Sequence, residues 1–449
     1  MQSFELDKTD LSKLKKAIEG DDQLLAATLA EYHATEIAIL FENINAENRE
    51  RIINLLDIEK ASEIISEMSE ASHPEELLLQ LHPEKRTEIV EELDYDDATD
   101  IISQMDKDEQ QEILEDLSAD DAESIRNLLS YDEDTAGGLM NTQMIKVNID
   151  LTKKDAIDEI IRQSEEIEEF YTVFVVDDEG RFKGIVSLKD IIKAKGNVKI
   201  TDMVNANAVY VKADTDQEEV AKLLSQYNLT SIPVVDGHLK LLGRVTFDDV
   251  IDVMEDENTE DILKISGVSE DEELAGNWID AVKSRLPWLI INLGTAFLAS
   301  AVVRYYEDTL AHLAILSAYM TIIAGMGGNA ATQALAVTVR RISLFDLTDE
   351  QAYRTVLKEF TVGMINGAVT GLIVLAFAYL FDANLMLGVV IFLAMTGNLI
   401  IAGFTGAGIP LILKRVGIDP AIASSIIITT FTDVFGFLLL LGLASKLLL

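Results

Sequence analysis

From about residue 5 to residue 130, apolar residues recur every three or four positions, broken by short acidic links, with almost no β-branched alternation. That period predicts a run of amphipathic helices. The run repeats. NRERIINLLDIEKASEIISEM at 48–68 aligns with KRTEIVEELDYDDATDIISQM at 85–105, and QQEILEDLSADDAESIRNLL at 110–129 follows as a third copy. Each copy reads as helix, acidic turn, helix. Neighbouring copies can bury their apolar faces on one another as a small superhelix, whose hand the pattern leaves open.

The period changes at about Thr135–Gly138. YTVFVVDDEGRFKGIVSLKDII (171–192) carries two strand runs around an Asp-Asp-Glu-Gly turn and leads into a helix, and LTSIPVVDGHLKLLGRVTFDDVI (229–251) repeats the design. Val176 and Val235, Gly184 and Gly243, and Asp190 and Asp249 are all separated by the same interval. Two α/β units this small, each with an exposed sheet face, are expected to pack into one module. An acidic stretch, Asp248 to Glu273, then leads to five apolar segments at about 286–303, 313–339, 359–380, 385–412 and 421–443. Each is long enough to cross ~30 Å of hydrocarbon. The loop 340–358, with SLFDLTDEQAYR, suits an amphipathic helix lying at the interface.

Charge sharpens the division. The formal net charge is −42, yet residues 281–449 hold ten Lys+Arg against nine Asp+Glu, so the acidity belongs to residues 1–280. Such an acidic soluble part argues against nucleic acid as a partner. Eight basic residues, Lys283, Arg285, Arg340, Arg341, Arg354, Lys358, Lys414 and Arg415, fall on one side of the spans, against Arg304 and Lys446 on the other. This bias places everything before the spans in the cytoplasm and the C-terminus outside, in the plasma (cell inner) membrane. No signal-peptide pattern opens the chain, and no cysteine is present for disulfides or thiolate sites.

Asp433 is the only acidic residue between Ala421 and Leu443, with Thr429, Thr430 and Thr432 beside it. A carboxylate near the centre of a membrane helix costs about 2.5–3.5 kcal/mol on insertion scales and normally faces a bundle interior or a water-filled path. Asn329, Asn366 and Asn398 recur in other spans among glycines and, with Thr429 and Thr430, are candidate pore-lining residues. An oxygen-only setting without His or Cys favours a hard ion, Mg²⁺ above Zn²⁺ or Cu⁺. Because Mg²⁺ sheds water reluctantly, Asp433 is expected to hold its hydration shell, ideally with a second Asp433 across a two-fold axis. An Asp capping a broken helix, or paired with a buried base, is the plainer alternative.

These residues carry a family resemblance over the full length. The helical N-domain, the paired CBS units, the acidic helix before the first span, GGNAATQ, KRVGIDPA and TTFTDVFGF together resemble the MgtE magnesium channels and transporters. The resemblance implies a multidomain membrane protein. Its parts are an α-helical superhelical N-domain (1–132), a tandem α/β CBS pair (133–198 and 199–254), an amphipathic "plug" helix within an acidic connection (249–280) and a five-span all-α transmembrane domain (281–449). It further implies a homodimer in the lipid bilayer with its pore on the two-fold axis and Mg²⁺ bound at Asp433. Asp419, in the GIDPA turn, would lie at the cytoplasmic mouth and share ions with acidic residues of the plug helix at about 249–265. Asp252, Glu255, Glu260 and Asp261 are the candidates there, with cytosolic Mg²⁺ holding the plug shut. Two positions depart from the family pattern: Ala331 replaces a common Gly, and Ser425-Ile426 replaces a common Asn-Pro, leaving ion preference and gating open.

In many CBS pairs the pattern of GIVSLKD (184–190) and GRVTFDD (243–249) places a hydroxyl and a carboxylate near the ribose or phosphates of an adenine nucleotide such as ATP. Ser187, Asp190, Thr246 and Asp249 are the residues concerned. Alternatively, Ser187 and Thr246 serve only as N-caps of the following helices. No nucleophile–base pair or HExxH spacing points to an enzyme. A gated channel, a carrier coupled to a second ion and a membrane-anchored CBS sensor are the remaining classes.

Overall fold

The structure, a computed structural model, describes residues 8–69, 72–164, 167, 170–269, 278–345, 347–422 and 425–449. Two compact units are present, Met1–Glu255 and Asp256–Leu449.

The first unit begins with the helical run, from α1 (Lys8–Ile18) to α10 (Ala119–Leu128). The sequence repeat is a repeat of helix pairs. α4 (Ala46–Leu55) and α5 (Ile58–Ser66) recur as α7 (Pro83–Glu92) and α8 (Tyr95–Ser103). The pair recurs once more as α9 (Lys107–Asp116) and α10. The acidic links are helix N-caps. Asp57 accepts from the Lys60 amide at 3.0 Å, and Asp106 shares a capping box with Glu109. Lysines close the other ends. Lys60 Nζ donates to the carbonyls of Leu29 and Tyr32, both at 2.9 Å, and Lys85 Nζ donates to those of Ile53 and Leu56 at 2.6 and 2.9 Å. The isoleucines of successive copies, Ile52, Ile64, Ile89, Ile102 and Ile125, lie in one continuous core.

The strands follow as two three-stranded sheets. β1 (Lys146–Asn148) runs parallel to β2 (Thr172–Val176), which pairs antiparallel with β3 (Phe182–Ser187). β4 (Val211–Lys212), β5 (Ser231–Val235) and β6 (Leu241–Thr246) repeat that arrangement. α11 (Lys153–Gln163) and α12 (Leu188–Lys193) flank the first sheet, and α13 (Gln217–Tyr227) and α14 (Phe247–Ser266) the second. The copies are interlaced. Asn141 bridges Arg244 of the second copy, Asn205 bridges Ile185 of the first, and Arg181 bridges Lys240 between the hairpins. Gly184 and Gly243 stand where these segments cross: a Cβ would lie 2.3 Å from the Asn205 carbonyl oxygen and 2.8 Å from that of Asn141. Phe174, Phe182, Val235 and Leu241 share a core between the sheets, so neither copy is closed without the other.

In the second unit, five helices among the described residues are long and apolar enough to cross a membrane. They are α15 (Trp278–Tyr305), α17 (Leu316–Leu344), α18 (Asp349–Asp382), α19 (Leu385–Arg415) and α20 (Ser425–Leu447), with a short α16 (Glu307–His312) after the first. Among the described residues no separate interfacial helix occupies 340–358, because α17 continues to Leu344 and α18 starts at Asp349. The Thr348–Gln351 capping box starts the new helix within the same stretch. α19 is central and packs against α17, α18 and α20. Its contact with α18 depends on small residues: a Cβ at Gly363 would lie 2.3 Å from the Leu399 carbonyl oxygen, and one at Gly403 the same distance from that of Glu359. α15 buries only Ala299, which leaves its apolar surface to lipid or another chain.

Candidate ion path and acidic clusters

Asp433 lies on α20, eight residues and so about 12 Å along the helix from Ser425. It is partly buried and, among the described residues, has no hydrogen-bond or ion-pair partner. Among the described residues no basic side chain pairs with it. Thr429 and Thr430 donate their hydroxyl protons to the Ile426 carbonyl at 3.2 and 2.7 Å, and Thr432 donates to Thr429 at 2.9 Å. With those protons spent on the helix, the oxygen lone pairs of Thr429 and Thr430 are left to accept from water. Thr432 is wholly buried. Around this carboxylate the helix surface therefore offers acceptors only, the arrangement that suits a hydrated cation.

The amides separate into different settings. Asn329 is exposed on α17. Asn398 is wholly buried, its amide donating to the Ile323 carbonyl at 3.0 Å. It fills a socket between Gly327 of α17 and Gly436 of α20, where an added Cβ would meet its Nδ2 at 2.2 and 2.8 Å. Asn398 thus braces three helices and does not face open space. Asn366 lies on α18, in a cleft shared with Gln333 of α17.

Just before the N-terminus of α20 a second group of charges gathers. Asp419 accepts from the Ala421 amide at 2.8 Å, and its other oxygen lies 3.0 Å from Lys264 Nζ on α14. The same ammonium pairs with Glu260. Asp261 accepts from the Ser343 hydroxyl at 3.3 Å, and burial, then the Asp419 charge, push its carboxyl above the usual range. Asn258 accepts from Arg340 at 2.8 Å. α14 ends here because Gly267 takes a left-handed φ of +75° and packs its α-carbon against Ile426, where a Cβ would come within 2.6 Å of that side chain. The second half of α14 therefore joins its carboxylates to Asp419. Asp252 and Glu255 belong to the first unit instead.

There they border an acidic group that sequence reasoning did not single out. Asp96 and Asp97 open α8 and face Asp249 at the start of α14. Burial, then the charges of Asp97 and Asp249, push Asp96 well above the carboxylate range. Burial, then Asp94 and Asp249, push Asp97 up to about 7. Asp249 is raised by burial, and Asp252 by burial and by Glu255 and Glu67. Among the described residues no three such groups are set to chelate a bare metal ion. The signal was a break in the repeat: Asp97 occupies the position of Lys60 in the preceding copy, reversing the charge of a helix-closing residue.

The chain carries the sequence signature of the MgtE intracellular N domain at residues 32–134, CBS domains at 136–197 and 200–256, and the MgtE divalent cation transporter domain at 320–443. It is 32% identical to the magnesium transporter MgtE of Thermus thermophilus over 438 residues, 96% of each chain. The chain belongs to the MgtE family of magnesium transporters. MgtE of Enterococcus faecalis is 36% identical over 71% of this chain and 70% of its own, and that of Bacillus subtilis 30% identical over 95% and 94%. The solved cytosolic domain of the Mg²⁺ channel MgtE in complex with ATP is 36% identical, with a TM-score of 0.52, covering 54% of this chain and 99% of that one. The soluble part of a magnesium transporter is 27% identical, with a TM-score of 0.50, over 55% of this chain and 97% of that one. As an MgtE-family chain it is a multi-pass membrane transporter with an intracellular N-domain, and not an enzyme.

Within the MgtE CBS pair the expected nucleotide residues are engaged locally. Ser187 caps α12, accepting from the Asp190 amide at 3.1 Å and donating to its carboxylate at 2.7 Å. Thr246 donates its hydroxyl and its amide, the latter at 3.1 Å, to Asp249. Asp190 and Lys189 remain exposed or nearly so, whereas Asp249 is drawn into the acidic group.

Proposed function

We propose that this protein is a magnesium-selective channel that admits Mg²⁺ to the cytoplasm across the plasma membrane and is closed by cytosolic Mg²⁺ on its acidic sites. The observation that carries the reading is Asp433, a carboxylate on a membrane helix that has no cation partner among the described residues and is surrounded by spent threonine donors. A hydrated Mg²⁺ supplies the missing charge, and its water ligands donate to the waiting oxygens. One carboxylate is thin for a dication, so the pore is read as the axis of a homodimer with two Asp433 side chains facing each other. The apolar, largely unburied α15 supports a second chain or lipid beside it.

Closure rests on charge. At the mouth, Glu260, Asp261 and Asp419 repel one another in the absence of cations, and within the first unit Asp96, Asp97, Asp249, Asp252 and Glu255 do the same. Hydrated Mg²⁺ binding that favours the closed arrangement shifts the population by its difference in affinity. The ATP complex of the relative supports an adenine nucleotide at the CBS pair, and the less engaged Ser187–Asp190 corner, with Asp190 exposed, suits it better than Thr246–Asp249. The test is Mg²⁺ flux into sealed vesicles at low and high internal Mg²⁺. Flux should need no sodium or proton gradient and should fall at high internal Mg²⁺. Joint neutralisation of Asp252, Glu255, Glu260 and Asp261 should keep the channel open there. A gradient requirement makes it a coupled carrier, and flux indifferent to internal Mg²⁺ ends the gating proposal.

A further inference from the structure

Asp433 is carried by α20, and α20 is held along one seam. Thr429, Thr432 and Gly436 follow at steps of three and four residues and so share one face of the helix. Two of them meet glycines of α17: a Cβ at Gly328 would lie 3.4 Å from Thr429 Cγ2, and one at Gly327 would lie 3.1 Å from Thr432 Cβ. Gly436 meets Asn398 of α19 instead. Asp433 falls between Thr432 and Gly436 in the chain and roughly 60° around the helix from Gly436. It borders the seam without entering it, so any turn or shift of α20 about the seam moves the carboxylate.

Asn398 is the spacer in that seam. Its Nδ2 donates to the Ile323 carbonyl at 3.0 Å, which ties it to α17. Its Oδ1 is buried with no hydrogen-bond partner among the described residues, so its contact with α20 is one of shape. The three atoms nearest to a Cβ placed on Gly436 all belong to this amide, Nδ2 at 2.8 Å, Cγ at 3.0 Å and Oδ1 at 3.1 Å. We propose that Asn398 is a positioning residue for ion selectivity, a wedge between α17 and α20 that sets how far Asp433 reaches into the ion path. This rests on the reading of Asp433 as the ion site. A hydrated Mg²⁺ is held through its water, whose hydrogen bonds tolerate only a narrow range of distance. Without the wedge the glycine-lined faces close, and Asp433 is drawn off that distance. A monovalent cation gains less from the carboxylate at the outset, so the preference for Mg²⁺ carries the effect.

The test is Mg²⁺ and Na⁺ flux by the full chain in proteoliposomes at low internal Mg²⁺. Asn398→Ala should lower the Mg²⁺-to-Na⁺ ratio about tenfold, as for one lost charge-assisted hydrogen bond. Gly436→Ala should lower it too, because the new methyl collides with the amide. In the double variant the methyl takes up part of the space the amide leaves, and most of the wild-type ratio should return. Asn398→Leu, which keeps the bulk, should stay near wild type. A merely structural role would lower melting temperature and total flux while leaving the ratio unmoved. An unchanged ratio in both single variants overturns the proposal. So does a double variant no better than the worse single one, or a Leu variant as unselective as Ala. If Asn398→Ala does not fold, Gly436→Ala and Asn398→Leu decide. Asp433→Ala, measured alongside, separates the two readings. If it conducts Mg²⁺ selectively, the ion site and the positioning role both fall; if it loses flux while Asn398→Ala keeps its ratio, only the positioning role falls.

Discussion

Asp97→Asn tests the acidic group of the soluble half most sharply. The Asp97 carboxyl is raised from 3.8 to about 7, with burial as the first cause. At 1.36 kcal/mol per unit, the folded state is penalised by about 4 kcal/mol once the group is ionised, a figure shared with Asp96 and Asp249. The sign follows from which state holds the proton. Below pH ~4 both states are protonated and Asp97 contributes nothing. Between pH ~4 and ~7 the unfolded chain loses its proton while the fold keeps it, so stability falls as pH rises and the loss is complete above ~7. Asn keeps the shape without the charge. The variant should therefore be more stable at neutral pH without Mg²⁺, by up to about 8–16 °C in midpoint for a fragment of this size. Mg²⁺ should stabilise wild type more than the variant, because it relieves a repulsion the variant lacks. Thermal unfolding of residues 1–266 by circular dichroism, at pH 5 and 7.5 with and without Mg²⁺, reads all of this. Equal midpoints and equal Mg²⁺ responses for the two proteins would refute the reasoning.

Three further outcomes are expected. Lys264→Met removes the ammonium between Glu260 and Asp419, so closure should require a higher internal Mg²⁺ concentration, measured as a right-shifted inhibition curve in vesicle flux. Deleting residues 1–130 should leave a protein that still conducts but responds less steeply to internal Mg²⁺ in the same flux assay. Gly403→Ala sets a Cβ 2.3 Å from the Glu359 carbonyl oxygen, forcing α18 from α19 at a cost of about 1–3 kcal/mol; a lowered melting temperature in detergent checks it.

Much of the fold was legible because period and repeat are local properties. The repeat intervals read along the chain reappear as helix pairs and sheets, since each copy buries the same apolar positions. The ends of α17 and α18 were less legible: polar residues at 340–358 read as a surface helix, whereas the helices simply project beyond the apolar spans. At the site, Asp433 stood out because a charge in an apolar run has no cheap explanation. Asp96 and Asp97 did not, because in so acidic a half burial is set by tertiary packing against Asp249, which no window contains. Asn398 misled for the same reason: an amide among glycines fits a pore or a packing socket, and only the positions of Gly327 and Gly436 decide between them.

The central claim is that Asp433 holds the transported ion. Mg²⁺ uptake into proteoliposomes at low internal Mg²⁺, wild type against Asp433→Ala, tests it directly, with melting temperature confirming that the variant folds. The account predicts near-complete loss of flux in a well-folded Ala variant, and partial flux with weakened preference for divalent over monovalent cations in Asp433→Asn. An Ala variant that conducts Mg²⁺ at the wild-type rate would contradict it.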